Sequence, residues 1–293
     1  MDVLVQTFVN GIMSALILIL IATGLCLIFG ILHIVNFAHG EFYMLGGFGI
    51  WWFFDLHPIP IGGPDAVGYI LAMILTIIVV GVLGILVEKF LFRPFHGNLI
   101  GTMIVALGVM FILQAGTLVS FGITDKAVTS PFIGMTNFGG ISLSKERLAA
   151  IITSIVFILA LYYLIQWTRL GKALRAVAQN REAARVHGIN IGRIFSITMG
   201  ISCALAAAGG ALIGPIFYIN PYMGAEPIMK AFVAIILGGM GSLLGAVIGG
   251  FIIGMTESFV STYVGAHFAM VVVFLVMIGV LLVRPSGIFG HAE

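Results

Sequence analysis

Uninterrupted apolar runs of about 20 residues recur along the chain and are separated by short polar stretches. Each run can cross a hydrocarbon core of roughly 30 Å, because an α-helix rises about 1.5 Å per residue. The apolar residues are continuous and do not alternate with polar ones, so the pattern excludes a β-barrel. The predicted spans are residues 11–32, 34–54, 69–87, 99–121, 148–167, 194–217, 243–259 and 268–283. We therefore predict an all-α polytopic membrane protein, a single domain over residues 1–293, with eight or nine transmembrane or partly re-entrant helices.

Two stretches do not fit a simple membrane span. Residues 37–49 mix glycines with polar side chains, and residues 228–240 are too short to cross comfortably. The latter form either a short steep helix or a re-entrant one, because irregular backbone at membrane depth occurs only inside protein or along a cavity. Residues 37–49 and the glycine-rich residues 238–254 lie in opposite halves of the chain. We hypothesise an internal inverted repeat, as in several transporter folds.

Glycine accounts for 39 of the 293 residues, whereas about 7% is usual. Gly241, Gly245 and Gly249 recur every four residues, which places them on one face of a helix. Since glycine lets two helix backbones approach closely in a membrane, we predict tight helix packing at this row.

Composition supports the membrane assignment, and charge sets the orientation. The chain is 61% hydrophobic and 8% charged, whereas soluble domains are about 25% charged. Residues 168–193, here called the basic segment, hold six basic residues and one acidic residue, a net charge of +5 in a chain whose total is +2. A Lys/Arg excess marks the cytoplasmic side of a membrane. Alternating spans then place residues 122–147 in the longest external loop, residues 55–68 in another external loop, and Glu88 in a short cytoplasmic loop.

The basic segment also has helical periodicity. Apolar positions such as Leu174, Val177 and Ala184 recur at steps of three or four, and Gly188 and Asn190 are typical of a helix end. We predict one cytoplasmic helix over residues 172–188, with an apolar stripe beside a basic flank. Such a helix suits insertion into a groove of a partner protein. Two other interpretations are contact with anionic lipid and an ordinary loop that only sets topology.

Catalytic and metal-binding patterns are missing from the sequence. Gly171 and Lys172 are followed by Ala173, so they do not form a phosphate-binding loop. Cys26 and Cys203 both lie within apolar runs and are expected to be small buried residues. We therefore expect no catalytic site, no metal site and no cofactor in this chain.

Asn36, His39 and Glu41 are the polar group most suited to a translocation path or gate. A carboxylate at membrane depth costs about 3 kcal/mol or more and is usually functional. On a regular helix Glu41 would point away from the other two, so a shared role requires a backbone deviation near Gly40. The alternative is a turn at the cytoplasmic end of a span, with Glu41 at the N-terminus of the next helix. Gln114 either lines the same path or forms an interhelical hydrogen bond.

The basic segment carries a specific family resemblance. Glu182, Ala183, Ala184 and Gly188 match the E-A-A-x-x-x-G coupling loop of ABC importer permeases, although the later I-x-L-P part of that pattern is absent. Residues 174–194, 24–47 and 238–250 resemble the branched-chain amino acid permeases of that class, and the resemblance runs in order through nearly the whole chain. Of the two permease subunits in that family, the chain resembles the shorter, LivH-type one.

The resemblance implies a non-catalytic, multi-pass subunit of the bacterial inner membrane that imports leucine, isoleucine or valine from the periplasm. The implied partners are a LivM-type second permease, two ATPase subunits that bind ATP and Mg, and a periplasmic binding protein. The chain would also contact membrane lipid, but no nucleic acid. The residues expected to couple to the ATPase are Arg175, Asn180, Arg181, Glu182, Ala183, Ala184, Arg185 and Gly188.

Two alternatives remain open at this point. Relatives within the family carry urea, short amides or other amino acids. A proton-coupled secondary transporter or channel is the alternative from a different class, with Glu41 as the proton site and the basic segment as a topology signal only.

Overall fold

The computed structural model describes residues 2–56, 65–138 and 141–290. The helices in these residues are α1 Asp2–Leu27, α2 His39–Ile50, α3 Ala66–Val87, α4 Leu99–Phe121, α5 Lys145–Trp167, α6 Arg169–Gln179, α7 Arg181–Val186, α8 Ile191–Ile213, α9 Ala225–Gly238, α10 Leu243–Val260 and α11 Ala266–Val283. Strand β1 (Met135–Phe138) pairs antiparallel with β2 (Ile141–Ser144). The all-α architecture is thus confirmed, with one small hairpin in the predicted external loop.

Several helices continue beyond their α-helical part as wider π turns. These extensions are Ile28–Leu32 after α1, Trp51–Leu56 after α2, Glu88–Phe92 after α3 and Ser261–Gly265 after α10. The predicted bounds of two loops, residues 55–68 and the short loop at Glu88, are therefore wrong. Asp55 and residues 66–68 are helical, while residues 57–64 lie outside the described residues. Glu88 is fully buried in the extension of α3, because its carboxylate finds partners inside the protein.

Six segments are long and apolar enough to cross a membrane. They are Val3–Leu32, Ala66–Phe95, Leu99–Phe121, Lys145–Trp167, Ile191–Ile213 and Leu243–Val283. The last is two helices, since Gly265 has φ 131° and separates α10 from α11. In the 18-residue apolar stretch of the first and fifth segments, 83% and 78% of the residues are buried, whereas in that of the third and fourth segments 17% and 22% are buried. Hence α1 and α8 form the centre of the protein, and α4 and α5 expose apolar side chains as lipid-facing helices do.

Glycines bring the central helices into backbone contact. A Cβ on Gly254 of α10 would lie 2.4 Å from the Cα of Ala15 in α1. A Cβ on Gly210 of α8 would lie 1.9 Å from the carbonyl oxygen of Tyr43 in α2. Neither position has room for a side chain, so these glycines permit the close helix approach that membrane interfaces favour.

The predicted glycine row is confirmed at two of its three positions. Gly245 and Gly249 of α10 pack against α9, where added Cβ atoms would lie 2.2 Å and 2.1 Å from the carbonyl oxygens of Gly238 and Ala234. Gly241 precedes α10 and has φ 88°, so its placement on the same helix face is wrong. It serves a turn that faces Gly30.

Two short helices start inside the protein and run in opposite directions. Residues 33–38, here called the inner loop, lead from the inner end of α1 back to α2. The His39 Nε2 atom lies 3.2 Å from the carbonyl oxygen of Ile21, about 16 Å along α1 from Leu32. The start of α2 meets the start of α9, where a Cβ on Gly224 would lie 2.2 Å from the oxygen of Gly40. Both helices therefore begin within the membrane.

This arrangement corrects the pairing proposed for the repeat. A long helix, a loop and a short helix occur as α1 and α2, and again in the opposite direction as α8 and α9. Residues 37–49, which form most of α2, therefore correspond to α9 and not to residues 238–254. Of the two interpretations of residues 228–240, the structure favours a short helix that starts within the membrane.

Candidate functional site

The basic segment forms two helices, α6 and α7, and the prediction of one helix over residues 172–188 is wrong. Asn180 has φ −156° and ψ 109°, and its Oδ1 accepts a hydrogen bond from the Ala183 backbone N–H at 2.9 Å. An asparagine in this extended conformation is a helix N-cap, so it ends α6 and starts α7. Gly188 has φ 80° and follows α7, as predicted. Asn190 caps the start of α8 by accepting from the Arg193 N–H at 3.0 Å.

The apolar stripe of the basic segment is buried against the chain itself. Leu174, Val177 and Ala184 are 2%, 0% and 3% exposed. The stripe therefore does not enter a partner's groove, and that expectation is wrong. The surface left for a partner is the opposite face of α7, where the side chain of Val186 is 86% exposed beside Ala183 and His187.

The eight residues predicted to couple to an ATPase fall into two sets. Asn180, Glu182, Ala183, Arg185 and Gly188 are exposed. Arg175, Arg181 and Ala184 are wholly or partly buried. The coupling role of all eight stays a prediction, but only the first set can be reached directly by a partner.

Arg175 and Arg181 attach the basic segment to the membrane helices. Arg175 donates to the backbone carbonyl of Ile165 at the inner end of α5. Arg181 donates to the carbonyl of Ile31 at 3.0 Å and to Nδ1 of His33 at 2.7 Å. Partial burial lowers the pKa of Arg181, yet a guanidinium stays protonated at neutral pH. Arg181 thus ties α7 to the inner end of α1.

His33 is a special position in the backbone. It has φ 57°, which makes it the one non-glycine residue with positive φ in residues 2–56, 65–138 and 141–290. This left-handed residue ends the extension of α1 and begins the inner loop. The Arg181 contact therefore lies at the point where the chain turns back into the membrane.

A second cluster ties the inner end of α3 to the start of α8. Arg93 donates to Glu88 Oε2 at 3.0 Å, to Ser196 Oγ at 2.7 Å and to the carbonyl of Gly192 at 2.8 Å. Ser196 also donates to the same Glu88 oxygen. This cluster is not predicted from the sequence, because Glu88 is expected in a short cytoplasmic loop.

Phe195 of α8 joins the two attachments. The guanidinium of Arg181 lies 5.1 Å from the centroid of the Phe195 ring, and the ring of His96 packs edge-on at 4.8 Å. Burial lowers the pKa of His96, although the Glu88 carboxylate acts in the opposite direction. The inner ends of α1, α3, α7 and α8 therefore meet in one contact network.

The inner loop delivers three predicted residues to the start of α2. Asn36 is fully buried, and its Oδ1 accepts from the Ala38 N–H at 3.1 Å while its Nδ2 lies 3.9 Å from Sδ of Met199. His39 contacts the Ile21 carbonyl, and Glu41 is 3% exposed in the first turn of α2. The backbone deviation lies in residues 33–38, so its predicted position near Gly40 is wrong. Glu41 does lie near a helix N-terminus, but this end is inside the membrane.

This junction contains buried polar atoms that lack a hydrogen-bond partner within the described part of the chain. Glu41 Oε2 and His39 Nδ1 are buried and have no hydrogen-bond partner among the described residues. Gln114, by contrast, is partly exposed on the peripheral helix α4 and does not join the other three residues. The path or gate role of the three residues remains a prediction.

A charge cluster around a buried lysine joins α9 and α10 and is not predicted from the sequence. The Nζ of Lys230 lies 2.5 Å from Oε1 of Glu226 and 2.6 Å from Oε1 of Glu257, and Lys230 is 7% exposed. The cluster borders a cavity of 320 Å³. The sequence indicates this cluster only through Lys230, a charged residue within the otherwise apolar residues 228–240. Its partners could not be assigned, because Glu257 is 27 positions away and is brought close only by the packing of α9 on α10.

Comparison with known proteins gives consistent results. The family model described as branched-chain amino acid transport system, permease component, matches residues 7–281. The high-affinity branched-chain amino acid transport system permease protein LivH of Escherichia coli K12 is 36% identical over 298 residues, which cover 98% of this chain and 96% of the relative. The corresponding permease protein BraD of Pseudomonas aeruginosa is 34% identical over 297 residues, with the same coverage of 98% and 96%.

A more distant relative has a different solute in its name. The ribose import permease protein RbsC of Escherichia coli K12 is 28% identical over 210 residues, which cover 69% of this chain and 63% of the relative. No solved structure matches the chain.

Proposed function

Because this chain belongs to the permease family of branched-chain amino acid transport systems, we propose that it forms part of the membrane pathway for leucine, isoleucine and valine in an ABC importer. The observation that carries the proposal is the 36% identity over 98% of the chain to a high-affinity permease of that name. The family and the long apolar helices make it a multi-pass inner-membrane protein. The substrate belongs to the proposal, since a ribose permease is also similar to this chain.

The complete importer contains a second, LivM-type permease, two ATPase subunits and a periplasmic binding protein. ATP and Mg bind in the ATPase subunits, so this chain contributes no catalytic group. The absence of a phosphate-binding loop from the sequence supports this division of labour. The exposed face of α7, around Ala183 and Val186, is the docking surface for one ATPase subunit.

Movement of the docked ATPase reaches the membrane through the arginine contacts. Arg181 transmits this movement to the inner end of α1 and to His33 at the start of the inner loop. The inner loop in turn holds α2, whose first turn meets the start of α9 at Gly40 and Gly224. A shift of α7 therefore changes how the two short helices meet, and this junction opens or closes the pathway. Packed contacts of this kind switch between discrete arrangements.

One observation favours a second candidate function. The buried Glu41 carboxyl, with one oxygen unpartnered among the described residues, is what a proton-coupled transporter would need. In the importer, the same residue is a polar group at the junction of α2 and α9.

Leucine uptake into proteoliposomes separates the two functions. The permease, with its ATPase subunits, second permease and binding protein, should take up leucine only when ATP is supplied to the ATPase side. A pH gradient without ATP should drive no uptake. Leucine uptake by this chain alone, driven by protons and abolished by Glu41→Gln, would establish the proton-coupled transporter instead.

A further inference from the structure

We propose that the cavity beside Lys230, Glu226 and Glu257 is a binding site for the amino acid during its passage, and that it recognises both charges of the zwitterion. This inference rests on the proposed transport function and assigns it to particular side chains. We call this space the charged cavity. It has a volume of 320 Å³, at the lower end of the roughly 300–1,000 Å³ that small-molecule sites occupy.

The charged cavity lies on the route from the outer face to the junction of the short helices. Ser14, Ile17 and Ile21 line it from the middle of α1 inwards, and Phe217 lines it just beyond the outer end of α8. Tyr43, one helical turn after the start of α2, lines it from within the membrane. The charged cavity therefore extends from the outer end of α8 to the depth of the junction at Gly40.

The charges suit an α-amino acid. One ammonium, that of Lys230, contacts two carboxylates at 2.5 Å and 2.6 Å. The cluster thus has one negative charge in excess, which attracts the ammonium group of a solute. The carboxylate of the same solute can replace Glu226 at Lys230, because the Glu226 side chain is 68% exposed and is the freer of the two partners. Charge-assisted hydrogen bonds of this kind are the strong ones in proteins.

The remaining wall of the cavity suits an aliphatic side chain. Ile17, Leu18 and Ile21 lie along one side, and Met223 lies on another. Apolar walls with a few convergent polar groups are typical of sites for small molecules. A branched aliphatic group placed against α1 would leave the two charged ends of the solute beside Lys230 and Glu257.

A purely structural ion pair does not account for the cluster. One carboxylate would be enough to neutralise Lys230, and Glu257 already joins α9 to α10. The largely exposed Glu226 lies in the first turn of α9, a helix that starts inside the membrane. A carboxylate facing lipid at that depth is costly. Glu226 therefore does not face lipid.

The test uses the complete importer in proteoliposomes with leucine-saturated binding protein, and it measures leucine uptake and ATP hydrolysis together. The first variant is Glu226→Gln, which alters an exposed side chain. The second is Lys230→Met combined with Glu257→Gln, which removes the buried ammonium together with its interhelical partner, so that only the largely exposed Glu226 keeps its charge. The matched control is Lys145→Met combined with Glu146→Gln, at the outer start of α5 and away from the cavity.

We expect the double variant to lose leucine uptake by at least about tenfold, the loss that follows when the charged partners of the solute are removed. Glu226→Gln should lose less, because it removes only the excess negative charge of the cluster. ATP hydrolysis stimulated by the binding protein should stay within about twofold of the unchanged complex. A role limited to folding would lower both activities together with the yield of the complex. Normal uptake by the double variant would overturn the inference.

A labelling experiment provides an independent readout. Glu226→Cys should react with a membrane-impermeant thiosulfonate added outside, and leucine-loaded binding protein with ATP should slow the reaction. The background is low, because Cys26 and Cys203 are buried. Failure of Glu226→Cys to react would contradict the inference. Failure of the unchanged complex to import leucine with ATP would instead contradict the proposed function.

Discussion

Replacing Arg181 with alanine should uncouple ATP hydrolysis from transport. Arg181 donates hydrogen bonds to the Ile31 carbonyl at 3.0 Å and to His33 Nδ1 at 2.7 Å, and its guanidinium packs on Phe195 at 5.1 Å. It is the side chain through which α7 holds the start of the inner loop. Arg181→Ala removes all three contacts and leaves the exposed face of α7 in place.

The magnitude follows from these contacts. A hydrogen bond to a charged group contributes about 1.5–3 kcal/mol, and a cation–π contact contributes about 0.5–1 kcal/mol where water is near. Water can replace part of these interactions, because Arg181 is not fully buried. We therefore assign about 2 kcal/mol to the link, which corresponds to roughly a 30-fold change in coupling. The coupling of Arg181→Lys should lie between that of the unchanged chain and that of Arg181→Ala, since a lysine keeps the charge but not the planar fork.

The assay is the number of leucine molecules imported per ATP hydrolysed by the reconstituted importer. For Arg181→Ala this ratio should fall at least about tenfold, while the ATPase subunits remain bound. The control is Arg193→Ala, which removes an exposed arginine of the same basic segment. A double-mutant cycle with His33→Gly, which keeps the positive φ accessible, should show that the two losses are not additive. An unchanged ratio in Arg181→Ala would refute the reasoning.

Three further substitutions test other parts of the structure. Gly188→Pro should abolish transport and leave the permease in the membrane, because proline cannot adopt φ 80°; normal substrate-stimulated ATPase activity would contradict the role given to α7. Glu88→Gln should lower the free energy of unfolding of the purified permease by about 2 kcal/mol, because Arg93 and Ser196 lose a charged acceptor; unchanged thermal stability would count against the cluster. Gly210→Ala should reduce the amount of folded permease, since its Cβ would lie 1.9 Å from the Tyr43 oxygen, whereas Gly108→Ala has open space and should be tolerated. Equal size-exclusion profiles for these two glycine variants would contradict the packing.

The sequence predicts the apolar helices well, because their signal is local. The span at residues 99–121 is confirmed as α4 with both ends correct, since Asn98 caps its start and Gly122 follows its end. Gly188 is likewise a reliable helix stop, because positive φ favours glycine wherever it occurs.

The predictions are wrong where the burial of a residue depends on how the helices pack against one another. Glu88 resembles a loop residue until Arg93 and Ser196 are placed beside it by the packing of α3 on α8. The stripe through Leu174 and Val177 has the same periodicity whether it faces a partner or the chain's own helices. Periodicity shows that one face is apolar, but only the tertiary fold shows what covers it.

The candidate site is predicted in part for the same reason. Asn36, His39 and Glu41 stand out as polar residues in an apolar stretch, and all three are buried around the start of α2, while their role remains a prediction. Their depth depends on the inner loop, which no local pattern indicates. Lys230 can be assigned to a charge cluster only when the fold places Glu257 beside it.

The most direct test of the account is crosslinking at Val186, the most exposed apolar side chain of α7. In the assembled importer, Val186→Cys should crosslink to an ATPase subunit with a short thiol reagent, because the face of α7 around it is the proposed docking surface. Val264→Cys, which is 62% exposed next to Gly265 between α10 and α11, should not. ATP-driven leucine uptake without any crosslink from Val186→Cys to an ATPase subunit would contradict the central claim.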